Sequence, residues 1–304
     1  GSGLHITSNG NTIRGLQLLS FPHHGIRLDN GASYNTIGGE NATPDGPCSG
    51  ACNLISQCGW NAISISGRDT VSNTVSGNYI GTDRTGTRAL GNAWQLVPPD
   101  AISLVDGAAY NTVGGATPGE RNVVSGNIYG VVIDGAHHNL VMGNYIGVSS
   151  SGTAALGNQE GGAGVGEGGQ YNTIRGNVVS ANEWAGLYLS SDARYNRIEG
   201  NLVGLDKTGT AALGNQTGIE IGSAKHNIIG GSQPGDGNLV SGNQGEGILL
   251  HDGETRDNTI AGNYIGTDAQ GHGELGNGGH GIALWDGPRS EERRVGKECA
   301  TGCR

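Results

Sequence analysis

The sequence predicts an all-β fold, a single-stranded right-handed parallel β-helix whose chain winds as a solenoid of stacked coils. Three observations predict it: a recurring Asn-x-Ile/Val motif, apolar runs that alternate over only three to five residues, and 60 glycines against 8 prolines in 304 residues. The motif runs Asn11-Thr-Ile, Asn35-Thr-Ile, Asn73-Thr-Val, Asn111-Thr-Val, Asn172-Thr-Ile and Asn258-Thr-Ile, with variants at Asn53, Asn122, Asn139, Asn196, Asn227 and Asn238. Alternation as in Gly25-Ile-Arg-Leu, Ala101-Ile-Ser-Leu and Gly218-Ile-Glu-Ile means short, half-buried strands, and glycine interrupts every window that would otherwise keep helical spacing. The glycines supply tight turns; collagen is excluded because they keep no three-residue period.

A longer unit spans two coils. Asp83, Asp206 and Asp268 sit at one motif position, in the strings G-T-D-R-T-G-T, G-L-D-K-T-G-T and G-T-D-A-Q-G-H, with Ser149 in the copy between the first two. One coil buries too few aliphatic side chains to offset the entropy of ordering it, so stability must come from stacking. About 13 coils of roughly 22 residues, spaced about 4.8 Å, are expected. Asparagine at a tight turn tolerates a left-handed backbone, and its amide can donate and accept between coils. Two asparagine columns are expected, one through Asn35, Asn111, Asn172 and Asn227, the other through Asn78, Asn127, Asn144, Asn177, Asn201, Asn243 and Asn263. Cys58 takes the second column's position, where it reads as a buried column member.

The strings N-T-I-G-G, R-N-V-V-S-G-N, G-N-Y-I-G-T-D and G-T-A-A-L-G-N resemble the right-handed parallel β-helix repeats of large bacterial secreted and surface proteins, over residues 1–288. The resemblance implies a fold shared with pectin lyases and related polysaccharide-active enzymes. That superfold also carries hydrolases, epimerases, tailspikes and adhesins, so function must be argued from a site. Residues 289–304 break the pattern; Arg289-Ser-Glu-Glu-Arg-Arg-Val-Gly-Lys-Glu-Cys299 resembles a translated sequencing adapter and is read as a non-native tail. The body is then expected to be a fragment open at both ends, continuing into further domains of its parent chain.

The net charge is −10 overall, and −12 without the tail, whose five basic and three acidic residues leave 12 and 24. Such a balance disfavours nucleic acid and anionic membrane as partners, and no apolar run approaches the ~20 residues of a membrane span. Cys48 and Cys52 flank the short loop P-C-S-G-A-C and can close it as a disulfide in an oxidising compartment; two free thiols or a metal site are the alternatives.

Chemistry on this fold needs clustered groups on one outer face. The outward positions of the G-I-x-I strands read Arg27, Ser64, Ser103, Val132, Tyr188, Glu220, Leu249 and Ala283, and the strands after Asn place Arg175 beside Glu199. No adjacent carboxylates appear in either series, so no catalytic residue is assigned and no lyase activity is expected. Asp83, Asp206 and Asp268 are calcium candidates, though a carboxylate capping its own turn is the simpler use, and no other cofactor is implied. Tyr34, Tyr110, His138, Tyr171, Tyr195 and His226 each precede a column asparagine, where axial stacking is expected. His137 and His138, like His23 and His24, are expected to point to opposite sides of extended chain.

Trp60, Tyr129 and Trp184 each lie two residues beyond a column position. Two coils apart, they would be spaced about 10 Å, near a disaccharide step, and are candidates for glycan stacking. The leading expectation is therefore an extracellular or cell-surface module, structural, adhesive or glycan-contacting, with a polysaccharide or cell-surface glycan as partner. The rival is a polysaccharide-modifying lyase, hydrolase or epimerase whose catalytic coil lies elsewhere in the parent chain.

Overall fold

The computed structural model describes residues 1–92 and 99–285. The 289–304 tail and the C-terminal boundary at residue 288 lie outside the described residues. The chain forms a right-handed parallel β-helix built from three parallel sheets, of ten, nine and nine strands. The ten-stranded sheet starts with Leu4–Ile6 and Ile26–Leu28 and ends with Ile282–Leu284; strands such as Thr36–Gly38 and Leu54–Ser56 belong to the other two. Each strand pairs with its counterpart one coil away, as in Arg27 with Ser64, Ser64 with Ser103 and Ser103 with Val132.

Ten strands in one sheet mean about ten coils, fewer than the 13 expected. The expectation treated the shortest coil as typical. Leu4 to Ile26 is indeed 22 positions, but Ile63 to Ile102 is 39, because loops are inserted between strands.

The interior explains why so few hydrophobic residues suffice. Aliphatic columns run down the axis: Ile26, Ile63, Ile102 and Val131 beside Leu28, Ile65, Leu104 and Ile133 in the first sheet, Ile37, Val75, Val113 and Val141 in the second, Ile55, Ile80, Val124 and Ile146 in the third, all fully buried. Between the columns run asparagine ladders, and there are three of them. The first links Asn11, Asn35, Asn73, Asn111, Asn139, Asn172, Asn196, Asn227 and Asn258. A second links Asn53, Asn78, Asn122, Asn144, Asn177, Asn201, Asn238 and Asn263. The third links Asn92, Asn127, Asn158, Asn182, Asn215, Asn243 and Asn277.

Asn127 and Asn243 thus leave the expected second column for this third one. Both columns share the local string S-G-N, which is why the sequence merges them. Cys58 heads the third ladder, not the second: its backbone N–H donates to Asn92 Oδ1 at 2.9 Å, and burial raises its thiol pKa. The chemistry repeats at every rung. Asn172 accepts from the backbone and side-chain nitrogens of Asn139 at 2.9 and 3.1 Å, and donates to Ala136 O and Asn196 Oδ1 at 3.0 and 3.1 Å. A buried amide thereby satisfies its own polar atoms and a neighbouring backbone carbonyl, which in a low-dielectric interior would otherwise be costly.

The two-coil period has a structural counterpart. Loops closed by the bridges Thr82 to Ala89, Val148 to Ala155, Leu205 to Ala212 and Thr267 to Glu274 recur in alternate coils. They hydrogen-bond to one another across the coil between, Ser150 N to Gly86 O, Lys207 N to Gly152 O and Ala269 N to Gly209 O, each at 2.9 Å. Asp83, Asp206 and Asp268 cap these loops. Asp206 Oδ1, for instance, accepts from Thr210 N and Ala211 N at 3.0 and 3.1 Å, while Thr208 Oγ1 donates to the same carboxylate.

Candidate functional site

Sequence repetition cannot create a site; departures from it can. Along the outer face of the ten-stranded sheet the central position reads Arg27, Ser64, Ser103, Val132, Gly164, Tyr188 and Glu220 in strict register. Gly164 is where the pattern opens. A Cβ there would lie 2.3 Å from Tyr188 Cε2, so the missing side chain is the seat on which the tyrosine ring lies. Gly166, two residues on, does the same for Asp134, whose Oδ1 would be 2.6 Å from a Cβ at that position.

Two adjoining cavities of about 230 and 220 Å³ share Trp184, Tyr188, Ser190 and Ser191. A third, of about 540 Å³, holds Trp60, Arg27 and Ser64, and meets the second at Asp100. Together they make one groove running along the rod. Individually the smaller two fall short of the roughly 300–1,000 Å³ of a small-molecule pocket, so the shape suits an extended ligand.

Trp60, Tyr129 and Trp184 stand on one rim of that groove. They follow Cys58, Asn127 and Asn182, successive alternate members of the third ladder, which places them two coils apart as expected. Trp60 is 41% exposed and packs against both His24 and His23, with ring centroids 5.4 and 6.5 Å away. Trp184 lies 5.2 Å from Tyr188, and Tyr129 meets the same ring edge-on at 6.4 Å.

Tyr188 was not singled out by the sequence, and it is the centre of the site. The residue is only 7% exposed and lines both smaller cavities; its hydroxyl is not among the buried side-chain atoms left without a partner, which are His24 Nδ1 and Arg121 Nε. Asp100, Asp134 and Glu167 line the cavity below it. Burial, reinforced by Asp134, pushes the Asp100 carboxyl up to about 7; burial and Glu167 raise Asp134. Tyr188 rises well above its ordinary value through burial and the neighbouring Asp100 and Asp134. The outward series therefore missed a pair of carboxylates in one cavity, because Asp100 and Asp134 sit at the two strand ends rather than at the central position. Their signal in the sequence was the outward glycine pair, Gly164 and Gly166.

Farther along, His251 bridges Glu220 at 3.0 Å and Asp252 at 3.1 Å. Burial opposes its protonation, but these two carboxylates outweigh it and its pKa is raised. Glu199 pairs with Arg197 at 2.8 Å, not with Arg175, since the residue two positions back on the same strand reaches it first. The axial aromatic file runs Tyr110, His138, Tyr171, Tyr195 and His226 with centroids 5.0 to 5.3 Å apart; Tyr34 stands outside it because Ser72 occupies the coil between. His137 and His138 do not diverge: their Nδ1 atoms are 3.1 Å apart, because the left-handed φ of 57° at His138 cancels strand alternation. His23 and His24 likewise converge, both on Trp60, and burial, then Arg27, lowers His24 to about 4.

Cys48 and Cys52 are joined as a disulfide, Cα atoms 5.5 Å apart. No group of three or more His, Cys, Asp or Glu that could hold a metal ion occurs among the described residues, and no helix among them is long and apolar enough to cross a membrane.

No curated protein matches the chain. Among solved structures it is similar to a periplasmic alginate epimerase (12% identity, 88% of this chain and 69% of that one, TM-score 0.41). It is also similar to tailspike protein 2 of the Escherichia coli O157:H7 bacteriophage CAB120 (13%, 92% and 42%, 0.44) and to the alginate lyase of Paenibacillus sp. str. FPU-7 (11%, 91% and 98%, 0.34). The model of one family matches residues 3–270, most of the chain, and by that match the protein belongs to the family described as periplasmic copper-binding protein (NosD).

Proposed function

We propose that this β-helix module binds an extended glycan along the outer face of its ten-stranded sheet, outside the cytoplasm. The observation that carries the reading is the aromatic wall of Tyr129, Tyr188 and Trp184 over a polar floor, continued two coils away by Trp60. Sugar rings present apolar faces that stack on aromatic rings, while hydroxyls demand hydrogen-bond partners, and the Tyr188 hydroxyl with Ser190, Ser191 and the carboxylates offers these. A periplasmic, secreted or surface location accords with the family description and with a disulfide.

Copper, which the family description names, does not fit the residues described. Met142 is the only methionine, Cys58 is fully buried, Cys48 and Cys52 are bonded to each other, and the His137–His138 pair has no third donor. Calcium at Asp83, Asp206 and Asp268 is no part of this reading, because those carboxylates already accept hydrogen bonds from their own loops.

The test is titration calorimetry of the chain with oligosaccharides of six or more units. Binding that weakens in Trp184→Ala and Tyr188→Ala supports the reading; affinity indifferent to both removes it. A second reading, a polysaccharide-modifying enzyme acting in this groove, is favoured by Asp100, which retains a transferable proton near neutral pH. New reducing or unsaturated ends formed by the wild type and abolished in Asp100→Asn would establish it.

A further inference from the structure

We propose that the corner between the two nine-stranded sheets holds a separate ligand site, a cavity in which Arg121 and Lys207 take the phosphoryl group of a phosphorylated small molecule. The site shares no lining residue with the groove and does not depend on it. Coil lengths make the hollow. In three successive coils only a glycine and an asparagine separate the strands at this corner, Gly143 and Asn144, Gly176 and Asn177, Gly200 and Asn201, whereas the coils on either side insert residues 115–122 and 231–238. The short coils floor a cavity of about 510 Å³, a size that suits a small molecule, with Thr117 and Pro118 at one end and Val178 and Leu202 as apolar wall.

Over this floor stand two cations and a single carboxylate. Arg121 lies on the Tyr145 ring, Cζ 3.9 Å from its centroid, and its Nη1 donates to Asp45 Oδ1 at 2.8 Å; Lys207 Nζ meets Asp45 Oδ2 at 2.8 Å. Asp45 is the only acidic residue lining the cavity among the described residues. Glu40, Glu120 and Asp206 accept instead from Thr117 Oγ1, Thr117 N and Thr210 N, at 3.4, 3.0 and 3.0 Å. The pair of cations is thus one negative charge short, on a chain whose net charge is −10.

An independent observation points the same way. Arg121 Nε is buried and has no hydrogen-bond partner among the described residues, so Asp45 does not satisfy the Nε–Nη2 edge, the one that grips an oxyanion through two parallel bonds. A buried donor without an acceptor is costly, and an anion that displaces what covers it removes the cost. Asp45 stands on the loop closed by the Cys48–Cys52 disulfide and the bridge between Asn41 and Gly50, and it fills the place of a ligand's anion. A ligand carboxylate would only repeat its single charge, and from solution would lose to a group already tethered there. A phosphoryl group carries about −1.5 to −2 near neutral pH and offers three acceptor oxygens, enough for the guanidinium edge and Lys207 together.

The experiment titrates the full chain calorimetrically with glucose 6-phosphate, inorganic phosphate, glucuronate and glucose at pH 7.5 and pH 5. Glucose 6-phosphate is expected to bind at least about tenfold more tightly than glucuronate, and glucose not measurably. The preference should shrink at pH 5, where the monoester keeps one charge because its second pKa is about 6. Arg121→Gln and Lys207→Gln should each weaken binding about tenfold, and Asp45→Asn should tighten it several-fold by removing the competitor. Thermal unfolding shows which variants are folded; Asp45 and Lys207 are both partly exposed, so their variants carry the test even if Arg121→Gln does not fold. Glucose 6-phosphate bound no better than glucuronate, an affinity indifferent to Lys207→Gln, or one weakened by Asp45→Asn overturns the proposal. Binding of inorganic phosphate alone overturns it too, since the cavity would then hold an ion and no carrier.

Discussion

The asparagine ladders and the outer face of the ten-stranded sheet are built on the same coils and follow opposite rules. Apart from Cys58, each inner rung repeats asparagine, and both ends of its amide are used. On the outer face successive coils offer Ser103, Val132, Gly164, Tyr188 and Glu220 at one position, and the groove they frame holds two carboxylates reluctant to ionise. Repetition marks where the molecule is held together. Its interruption, with carboxylates gathered in an open groove, marks where something else is to bind.

The largest expected effect breaks the inner pattern. Asn172→Ala leaves Asn139 N without an acceptor in the interior and takes one of two acceptors from Asn139 Nδ2, while Asn196 Oδ1 keeps the Asn172 backbone N–H and Ala136 O keeps that of Gln170. At about 1–3 kcal/mol for a buried unsatisfied group, with the cavity left by the amide added, it should cost roughly 3 kcal/mol in urea unfolding. A loss below about 1 kcal/mol would mean that the ladders are ornament and the aliphatic columns alone suffice.

The outer face should respond in the opposite direction, and with pH. The folded-state pKa of Asp100 lies above its unfolded value, so folding favours the protonated form. The group is neutral in both states at pH 3, and its penalty grows as pH rises from about 4 through about 7. Asp100→Asn should therefore leave stability unchanged at pH 3 and raise it by about 2 kcal/mol at pH 8, after discounting for the open side of the groove. A variant less stable at pH 8 would show that the carboxylate has a partner.

Removing a ring from the rim is a milder disturbance. Trp184→Ala should weaken glycan binding about tenfold, worth about 1.4 kcal/mol, with no change in the ladders' protection from hydrogen exchange. Equal affinity would assign Trp184 to packing against Tyr188 alone.

The smallest effect sharpens the comparison by restoring repetition. Ser149 stands where other loops carry Asp83, Asp206 and Asp268, and Ser149→Asp should stabilise by roughly 0.5–1 kcal/mol at pH 7, as a cap does. Asp206 has a lowered pKa; burial opposes this, but hydrogen bonds from Thr208, Thr210 and Ala211 outweigh it. By the same sign the gain should vanish as pH falls below about 4. Thermal unfolding at the two pH values checks it.

Much of this architecture was legible residue by residue. Asn111 and Asn172 announce a ladder, Ile102 and Leu104 a buried stripe, and Trp60, Tyr129 and Trp184 their two-coil spacing, because each rests on a short local pattern that stacking simply repeats. Coil number was misjudged because loop insertions leave no mark on the strand motif. Asn127 and Asn243 were assigned to the wrong column because two different corners use the same three letters. Tyr188 was passed over because nothing in Gly-Leu-Tyr-Leu says that the facing residue one coil earlier is Gly164.

The order of residues is enough to make the chain wind, to fill its interior with aliphatic side chains and to line its corners with asparagine, since periodicity is a one-dimensional property. Which residues share a groove is set in three dimensions. Asp100, Asp134 and Tyr188 are 34 and 54 positions apart, and their meeting depends on the loop lengths that set each coil's register. Burial and mutual repulsion, which give these groups their chemistry, arise only once that register brings them together.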